Sequence, residues 1–356
     1  MKELIFFARD MHIGGLEKAL TTLLNALDHS RFHVTLLLEK REGELLGELD
    51  ERITVEEYSL SSCSFVPMRK LVNFSRRLLW RLKNGGKYDF SCSYCTYSVI
   101  GSRLMQYASD NACLYVHSDY FAPGRDSADA DVLSLLNMSG FQKLVFVSQE
   151  SMAHFTEHYP ALAPACRVIN NLTDCSGIRE KSLAAVKDLP TGRPVYLSVG
   201  RLEQASKRLD RLIGAFARVH AELPDSRLVI IGDGKDRKLC RELIEKLALD
   251  DSVSLLGART NPYPYMRACD CMVLSSDYEG FPMVYYEALT LGKKLVTTVS
   301  VSDGAINMAE HALICEKNES ALAEAMLSFD RIPVPSVDIE AVNKIHLTQF
   351  YSLFDT

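Results

Sequence analysis

The sequence predicts an α/β protein built from two doubly wound parallel sheets, each covered by its own helices. Three observations carry that reading. The chain has 356 residues, more than one hydrophobic core usually takes. Strand-like apolar runs alternate with helical runs along nearly all of it, which implies parallel sheets with helices on both faces. The alternation breaks once, over 171–193, and then begins again.

In the first series LIFFA (4–8) reads as a strand. LEKALTTLLNAL (16–27) has helical spacing at Leu16, Leu20, Leu23, Leu24 and Leu27, and HVTLLLE (33–39) is the next strand. YDFSCSY, ACLYVHS, KLVFVS and RVIN continue the strands through residue 170, with helical runs between most of them. Residues 171–193 are polar, carry Pro190 and Gly192, and read as a linker. The second series, 194–330, runs through PVYLSVG, LDRLIGAFARVHAEL, RLVIIGDG, DRKLCRELIEKLAL, VSLLG, PYPYMRA, DCMVLSS, PMVYYEALTL, KLVTT, ALICE and ESALAEAMLSF. A segment over 331–356 closes the chain, with the proline-rich RIPVPS before the helical IEAVNKIHLTQFYSLF. Two domains, 1–170 and 194–330, would face each other across a cleft. Ligands of open α/β sheets bind outside the carboxyl ends of the strands.

Composition narrows the function classes. The chain is 47% hydrophobic and 24% charged, with a net charge of −6, which argues against nucleic acid as a partner because phosphate neutralisation needs a basic surface. MKELIFF (1–7) reads as a first strand rather than a leader, and no apolar run approaches the roughly 18–20 residues of a membrane span. The expected location is cytoplasmic. Cys92 and Cys95 form a CxxC, and Cys269 and Cys271 a CxC. No histidine pair accompanies them and both lie in or beside apolar runs, so buried thiols fit better than a zinc site. No metal is expected.

The densest chemistry lies in YEGFPMVYYEAL (278–289), where Glu279 and Glu287 are separated by seven residues. Pro282 fits the first position of a helix that follows the strand CMVLSS. The free amides near 282–284 would then present the positive end of the helix dipole, a phosphate-binding arrangement. Glu287 lies one turn in, on the face of Met283, where a carboxylate can accept two hydrogen bonds from a ribose diol. Glu279, in the loop, could hold hydroxyls of an attached sugar. The two acids could equally be a solvated loop acid and a surface helix residue. Counter-charge comes from LSVGRLEQASKRLDRLI, which puts Arg201 at a strand's carboxyl end and Lys207 before the next helix. Two cations there can stabilise a departing diphosphate, or form a solvated basic loop.

Weaker signals surround these. GDGKDR places Gly232 and Gly234 after a strand, where backbone can approach a ligand closely or simply make a tight turn. Arg237 stands where the dinucleotide fingerprint needs its third glycine, so that motif fails. Gly14 and Gly15 make a glycine turn between the first strand and first helix. His117 ends the strand LYV and could hydrogen-bond a sugar hydroxyl, although a lone histidine is more often structural.

Taken together, GGLEKAL, the strand-end His117, SVGRL followed by Lys207 and LDRLIGAF, LVIIGDG, VSLLG and EGFPMVYYEALTLGKKLVTT resemble, in order and spacing, the family 4 retaining glycosyltransferases of GT-B fold. The similarity covers nearly the whole chain and is strongest over 195–300. The resemblance implies two Rossmann-like domains, an acceptor-side one and a nucleotide-sugar donor domain. It also implies transfer of a hexosyl unit from a nucleotide diphospho-sugar, by family frequency a UDP-sugar, without a metal or other cofactor. The acceptor would be a glycan or lipid-linked glycan in surface or capsular polysaccharide assembly. On the matching positions Arg201 and Lys207 would bind diphosphate, Glu287 ribose, and Glu279 the sugar. Gly280, Phe281, Met283 and Val284 would line the donor, as would Gly232 and Gly234. Gly14 and Gly15 would lie near the diphosphate, and His117 near the transferred sugar. Catalysis would rest on Glu279, His117, Arg201 and Lys207. After KLVTT the family usually has a glycine-rich turn leading to a further acid, and VSVSDGAINMAEHALI matches it poorly. The family's final helix often crosses back to the first domain, which IEAVNKIHLTQFYSLF could do.

One further stretch stands out. FVPMRKLVNFSRRLLWRLKNGGK (65–87) has seven basic residues and no acid. At about 100° per residue, Leu71, Phe74, Leu78 and Leu82 form one face, with Arg69, Arg76, Arg77 and Lys83 on another and Trp80 among them. Such a helix fits an anionic membrane interface, Trp80 included, or an ordinary domain helix with a solvated basic face. Three alternatives to the enzyme are a non-catalytic nucleotide-sugar-binding partner subunit of the same fold, a dinucleotide oxidoreductase, and a phosphorylase using pyridoxal phosphate. The failed fingerprint disfavours the second, and no lysine motif suggests the third.

Overall fold

The computed structural model describes residues 1–96, 98–122, 135–186, 188–298 and 306–354. They form two compact units, one of Met1–Leu172 with Lys344–Thr356, the other of Thr173–Asn343. The doubly wound parallel architecture predicted from the sequence is present in both.

In the first unit the strands are β1 (Lys2–Ala8), β2 (Phe32–Leu38), β3 (Thr54–Glu57), β4 (Phe90–Ser93), β5 (Ala112–Val116), β6 (Lys143–Phe146) and β7 (Cys166–Val168). They lie in the order β3-β2-β1-β4-β5-β6-β7, and every pairing is parallel. Helices α1 (Gly15–Ala26), α2 (Val66–Asn84), α3 (Val99–Ala108) and α4 (Gln149–His158) punctuate the strands. A strand covered on both faces must be apolar on both, and Leu4, Ile5, Phe6 and Phe7 of β1 are fully buried in succession. The strand order reverses between β1 and β4, so the crevice outside their carboxyl ends is where this topology places ligands. The turn holding Gly14 and Gly15 leaves β1 there.

The second unit pairs β8 (Val195–Val199), β9 (Arg227–Ile231), β10 (Val253–Gly257), β11 (Cys271–Leu274), β12 (Lys294–Thr297) and β13 (Ala312–Ile314), again all parallel, in the order β10-β9-β8-β11-β12-β13. Its switch point is between β8 and β11. Its helices are α5 (Cys175–Lys181), α6 (Gln204–Lys207), α7 (Leu209–Glu222), α8 (Arg237–Lys246), α9 (Tyr263–Ala268), α10 (Met283–Thr290) and α11 (Glu319–Leu327). Residues 171–193, read from the sequence as a linker, instead contribute α5. Asp174 caps it by accepting from the Gly177 amide at 3.0 Å, and Cys175 on its first turn lies 3.7 Å, Sγ to Oγ1, from Thr290 of α10. Polarity and Pro190 mark a break in the strand rhythm, but a short capped helix is polar too.

The last helix, α12 (Ile339–Tyr351), begins in the second unit and ends in the first. Asn343 donates to the Thr173 carbonyl at 2.7 Å and accepts from its amide at 3.0 Å. Beyond it, Phe350 and Phe354 join Phe6, Phe32 and Phe90 in one aromatic cluster, with ring centroids 4.9–6.2 Å apart. Lys143 and Asn111 both donate to the Leu353 carbonyl, and Lys2 reaches that of Phe354 at 2.7 Å. No helix among the described residues is long and apolar enough to cross a membrane. Both cysteine pairs contain buried thiols, and burial pushes Cys269 up to about 12.

Candidate active site

The carboxyl ends of β8 and β11 carry the acidic and basic residues singled out in the second unit. A pocket there is lined by Gly200, Arg201, Lys207, Ser275 and Ser276, among others. Lys207 ends the short helix α6, and its ammonium lies 2.5 Å from Glu279 Oε1. Ser276 donates to the same oxygen at 2.6 Å. Arg201 lines this pocket but is loosely held, with a side chain 74% exposed and 3.8 Å from Glu203. One cation is therefore fixed and the other free to reorient.

What fixes Lys207 is a network that sequence reasoning missed. Ser275 donates to the Lys207 carbonyl at 2.7 Å, and the Asp277 amide donates to the Ser206 carbonyl at 2.8 Å. Asp277 is gripped by two guanidinium groups, Arg211 at 2.5 Å and Arg208 at 3.0 Å. Arg211 is buried and also donates to the Ser275 carbonyl at 2.8 Å. Burial alone would raise the Asp277 carboxyl, but hydrogen bonds from Arg211 and Arg208 overcome it and hold the group below the usual carboxylate range. Arg208 reaches this position from a left-handed backbone, φ 48°, between α6 and α7. The available signal was a charge inside the apolar run LDRLI, since a buried charge is normally paired.

The helix start also differs by one residue from its expected place. Pro282 is the N-cap and α10 begins at Met283, with no side-chain cap. Among the described residues the Met283 and Val284 amides have no acceptor, so the positive helix end is open at this point. Phe281 is buried and stacks on Tyr286 with centroids 4.4 Å apart, which sets the approach of the Gly280–Pro282 turn. Glu287 is not a surface acid: it is 5% exposed, and Tyr263 donates to its Oε1 at 3.1 Å.

Gly232 and Gly234, expected from the sequence near the donor, are packed against the loop after β8. Gly232 has φ +144°, and a Cβ on it would stand 1.8 Å from the Gly200 carbonyl oxygen; one on Gly234 would stand 2.4 Å from that of Leu202. Their amides are already used, by the Gly257 carbonyl at 3.0 Å and by Asp233 Oδ1 at 2.8 Å. These glycines let two strand-end loops touch, and so support the loop that presents Arg201.

In the first unit, a Cβ at Gly15 would meet nothing within 4 Å, so the start of α1 can be approached closely there. His117 follows β5 and packs against both Tyr94 and Tyr115, with centroids 4.4 and 5.2 Å away, the two tyrosine rings being 4.7 Å from each other. The residue keeps some exposure, but its Nε2 is buried without a hydrogen-bond partner. Burial depresses the imidazole to about 3, so it is neutral near pH 7. An unfolded histidine takes up its proton near pH 6.5. His117 should therefore cost the fold about 1.4 kcal/mol per pH unit as pH falls from 6.5 towards 3. Unfolding free energies from denaturant titration at pH 7 and pH 5 should differ by about 2 kcal/mol more in wild type than in His117→Gln. Equal differences would show that the ring titrates freely. Of the divergent run after KLVTT, residues 299–305 lie outside the described residues.

Residues 180–332 match the family model for glycosyl transferases group 1. The chain is 32% identical over 151 residues to the N-acetylgalactosamine-N,N'-diacetylbacillosaminyl-diphospho-undecaprenol 4-alpha-N-acetylgalactosaminyltransferase of Campylobacter jejuni, over 42% of this chain and 40% of that protein. It is 24% identical over 276 residues to the amylovoran biosynthesis glycosyltransferase AmsD of Erwinia amylovora, over 77% of this chain and 74% of that one. The matched stretches span 39% and 40% of the first two curated relatives. Among solved structures, that of Anabaena Alr3699/HepE in complex with UDP and glucose superposes with a TM-score of 0.77 at 18% identity, covering 100% of both chains. The stretch 180–332 is thus a group 1 glycosyltransferase domain, set in a chain with the two-sheet architecture of the GT-B glycosyltransferases.

Proposed function

We propose that the chain is a retaining hexosyltransferase of the family 4 kind, which moves a sugar from a UDP-sugar to a glycan or lipid-linked glycan acceptor in surface or capsular polysaccharide synthesis in the cytoplasm. The observation that carries this is the Lys207–Glu279 pair, 2.5 Å apart at the β8/β11 switch point. A cation for phosphate and a carboxylate for hydroxyls stand side by side there. The similarity to a transferase named for a diphospho-undecaprenol substrate, to one of amylovoran synthesis, and to a structure holding UDP and glucose supports the same reading.

In this reading Arg201, Lys207 and the open amides of α10 receive the diphosphate, Glu279 the sugar hydroxyls, and Glu287, steadied by Tyr263, the ribose diol. The bond from the anomeric carbon to the β-phosphate oxygen breaks, and its electron pair leaves with that oxygen. The cations and helix end stabilise the new negative charge, which is the role a divalent metal would otherwise fill. The acceptor hydroxyl attacks the same face of the anomeric carbon, and its proton passes to the departing phosphate. Glu279 supports the positive charge that grows on the ring. His117, neutral at pH 7, is fit to hydrogen-bond a sugar hydroxyl.

Thermal stabilisation by UDP-, GDP- and ADP-sugars tests the donor. A ligand at a hundred times its Kd should stabilise wild type by about 2.7 kcal/mol. We expect a UDP-sugar to do so, and Arg201→Ala and Glu279→Ala to lose most of the effect. Absence of any shift at millimolar concentration would overturn the reading. A shift without turnover on any glycan acceptor would favour a nucleotide-sugar-binding partner subunit.

A further inference from the structure

Helix α2 is turned inside out. Amphipathic helices of a domain normally bury their apolar stripe, but of α2 only Asn84, at the C-terminal end, is buried. Trp80 is partly buried against the core of the first unit, so the side bearing Trp80 and Asn84 faces the protein. The apolar stripe points the other way. Leu71, Phe74, Leu78 and Leu82 are 46–76% exposed, and Phe65 and Met68 extend the row at 64% and 50%. Eight of the seventeen large apolar side chains that are exposed among the described residues lie between 65 and 82. Scattered exposed apolar residues are ordinary, whereas a continuous row of this length marks a binding surface.

Charge identifies the partner. At about 100° per residue, Lys70 and Arg81 border the stripe on one side and Lys83 on the other, while Arg69 and Arg76 fall within about 40° of Trp80, and Arg76 donates to the Ser59 carbonyl at 2.8 Å. The helix holds no acid, and among the described residues no carboxylate forms an ion pair with any of its cations. The molecule as a whole carries −6, so attraction to an anionic surface needs a local basic patch, which α2 supplies. A second copy of the chain is a poor occupant, because two such faces would set cation against cation. We propose that α2 lies flat in the headgroup layer of an anionic membrane, with the Phe65–Leu82 row among the acyl chains and the flanking lysines and arginines on lipid phosphates. Trp80, read from the sequence as an interfacial anchor, stays on the protein side. The inference stands on α2 alone: a chain unable to transfer sugar would still bind.

Co-sedimentation with vesicles tests it, using the full chain and phosphatidylcholine vesicles with and without about one third phosphatidylglycerol. Binding to the anionic vesicles should be at least about tenfold stronger and should fall in about 0.5 M salt. Leu71→Ser/Leu78→Ser should weaken it about tenfold or more while changing the melting temperature little, since both side chains are largely or half exposed. Lys70→Glu/Lys83→Glu should do the same. Because Trp80 is the sole tryptophan, brominated lipid should leave its fluorescence unquenched and should quench a Leu78→Trp/Trp80→Phe variant. Equal binding to both vesicle types, no binding, or binding indifferent to the serine pair would overturn the proposal. So would a dimer in light scattering that the serine pair dissolves, which would assign the stripe to a second copy.

Discussion

Lys207→Ala should lower kcat for sugar transfer about 10²–10³-fold while leaving the second unit folded. That is the loss usual when one preorganised charge-stabilising group is removed from a reaction that builds negative charge. The structure gives a reason to expect the upper part of the range. The Lys207 ammonium is held within 2.5 Å of Glu279, and its backbone is fixed by Ser275, so nothing need be reorganised as charge develops. Arg201, exposed and loosely paired, must be drawn in by the ligand, and its loss should appear more in KM. Removing Lys207 strands Glu279, 11% exposed but still held by Ser276, so the broken pair should cost the fold about 1–3 kcal/mol. A Lys207→Ala protein that melts like wild type and transfers sugar at the wild-type rate would remove Lys207 from the mechanism.

The largest effect on stability should come from a residue that touches no substrate. Asp277→Ala leaves two guanidinium groups without their shared carboxylate, one of them buried. Breaking a buried pair from one side typically costs about 3–5 kcal/mol, because the remaining charge is stranded. Asp277 itself keeps some contact with water, so about 3 kcal/mol is the better expectation. For a unit of this size that lowers Tm by about 6–12 °C. Asp50→Ala breaks an ion pair of similar length, 2.7 Å, on a largely exposed arginine, and should not measurably change Tm. If the two variants behave alike, the Arg208–Asp277–Arg211 network is decoration. Sign matters for pH as well. Because the Asp277 carboxyl is held low in the fold, its stabilisation is complete above the pH at which an unfolded aspartate ionises, and fades as pH drops through the folded value.

The strands were legible because burial on both faces forces long apolar runs such as LIFF and LVII, which few other arrangements tolerate. Lys207, Arg201 and Glu279 were legible because topology puts strand carboxyl ends together, and these residues follow strands. What was hidden depends on contacts distant in sequence. Arg211 could be seen as a charge among leucines, but its partner lies 66 positions away. Gly232 and Gly234 announced a close approach, and the sequence could not say whether a ligand or the Gly200–Leu202 loop was approaching. Periodicity showed that α2 has an apolar face but not which way that face looks. Only its packing places Trp80 beneath the helix and Leu71 on the outside.

The aromatic cluster on β1 and β4 has a consequence for synthesis. Phe6 and Phe90 are made early, yet two rings they pack against, Phe350 and Phe354, follow the whole second unit in the chain. On a ribosome working from the amino end, the first sheet to be translated is the last to be finished. Its open core must wait, shielded or exposed, while some 170 later residues have time to fold.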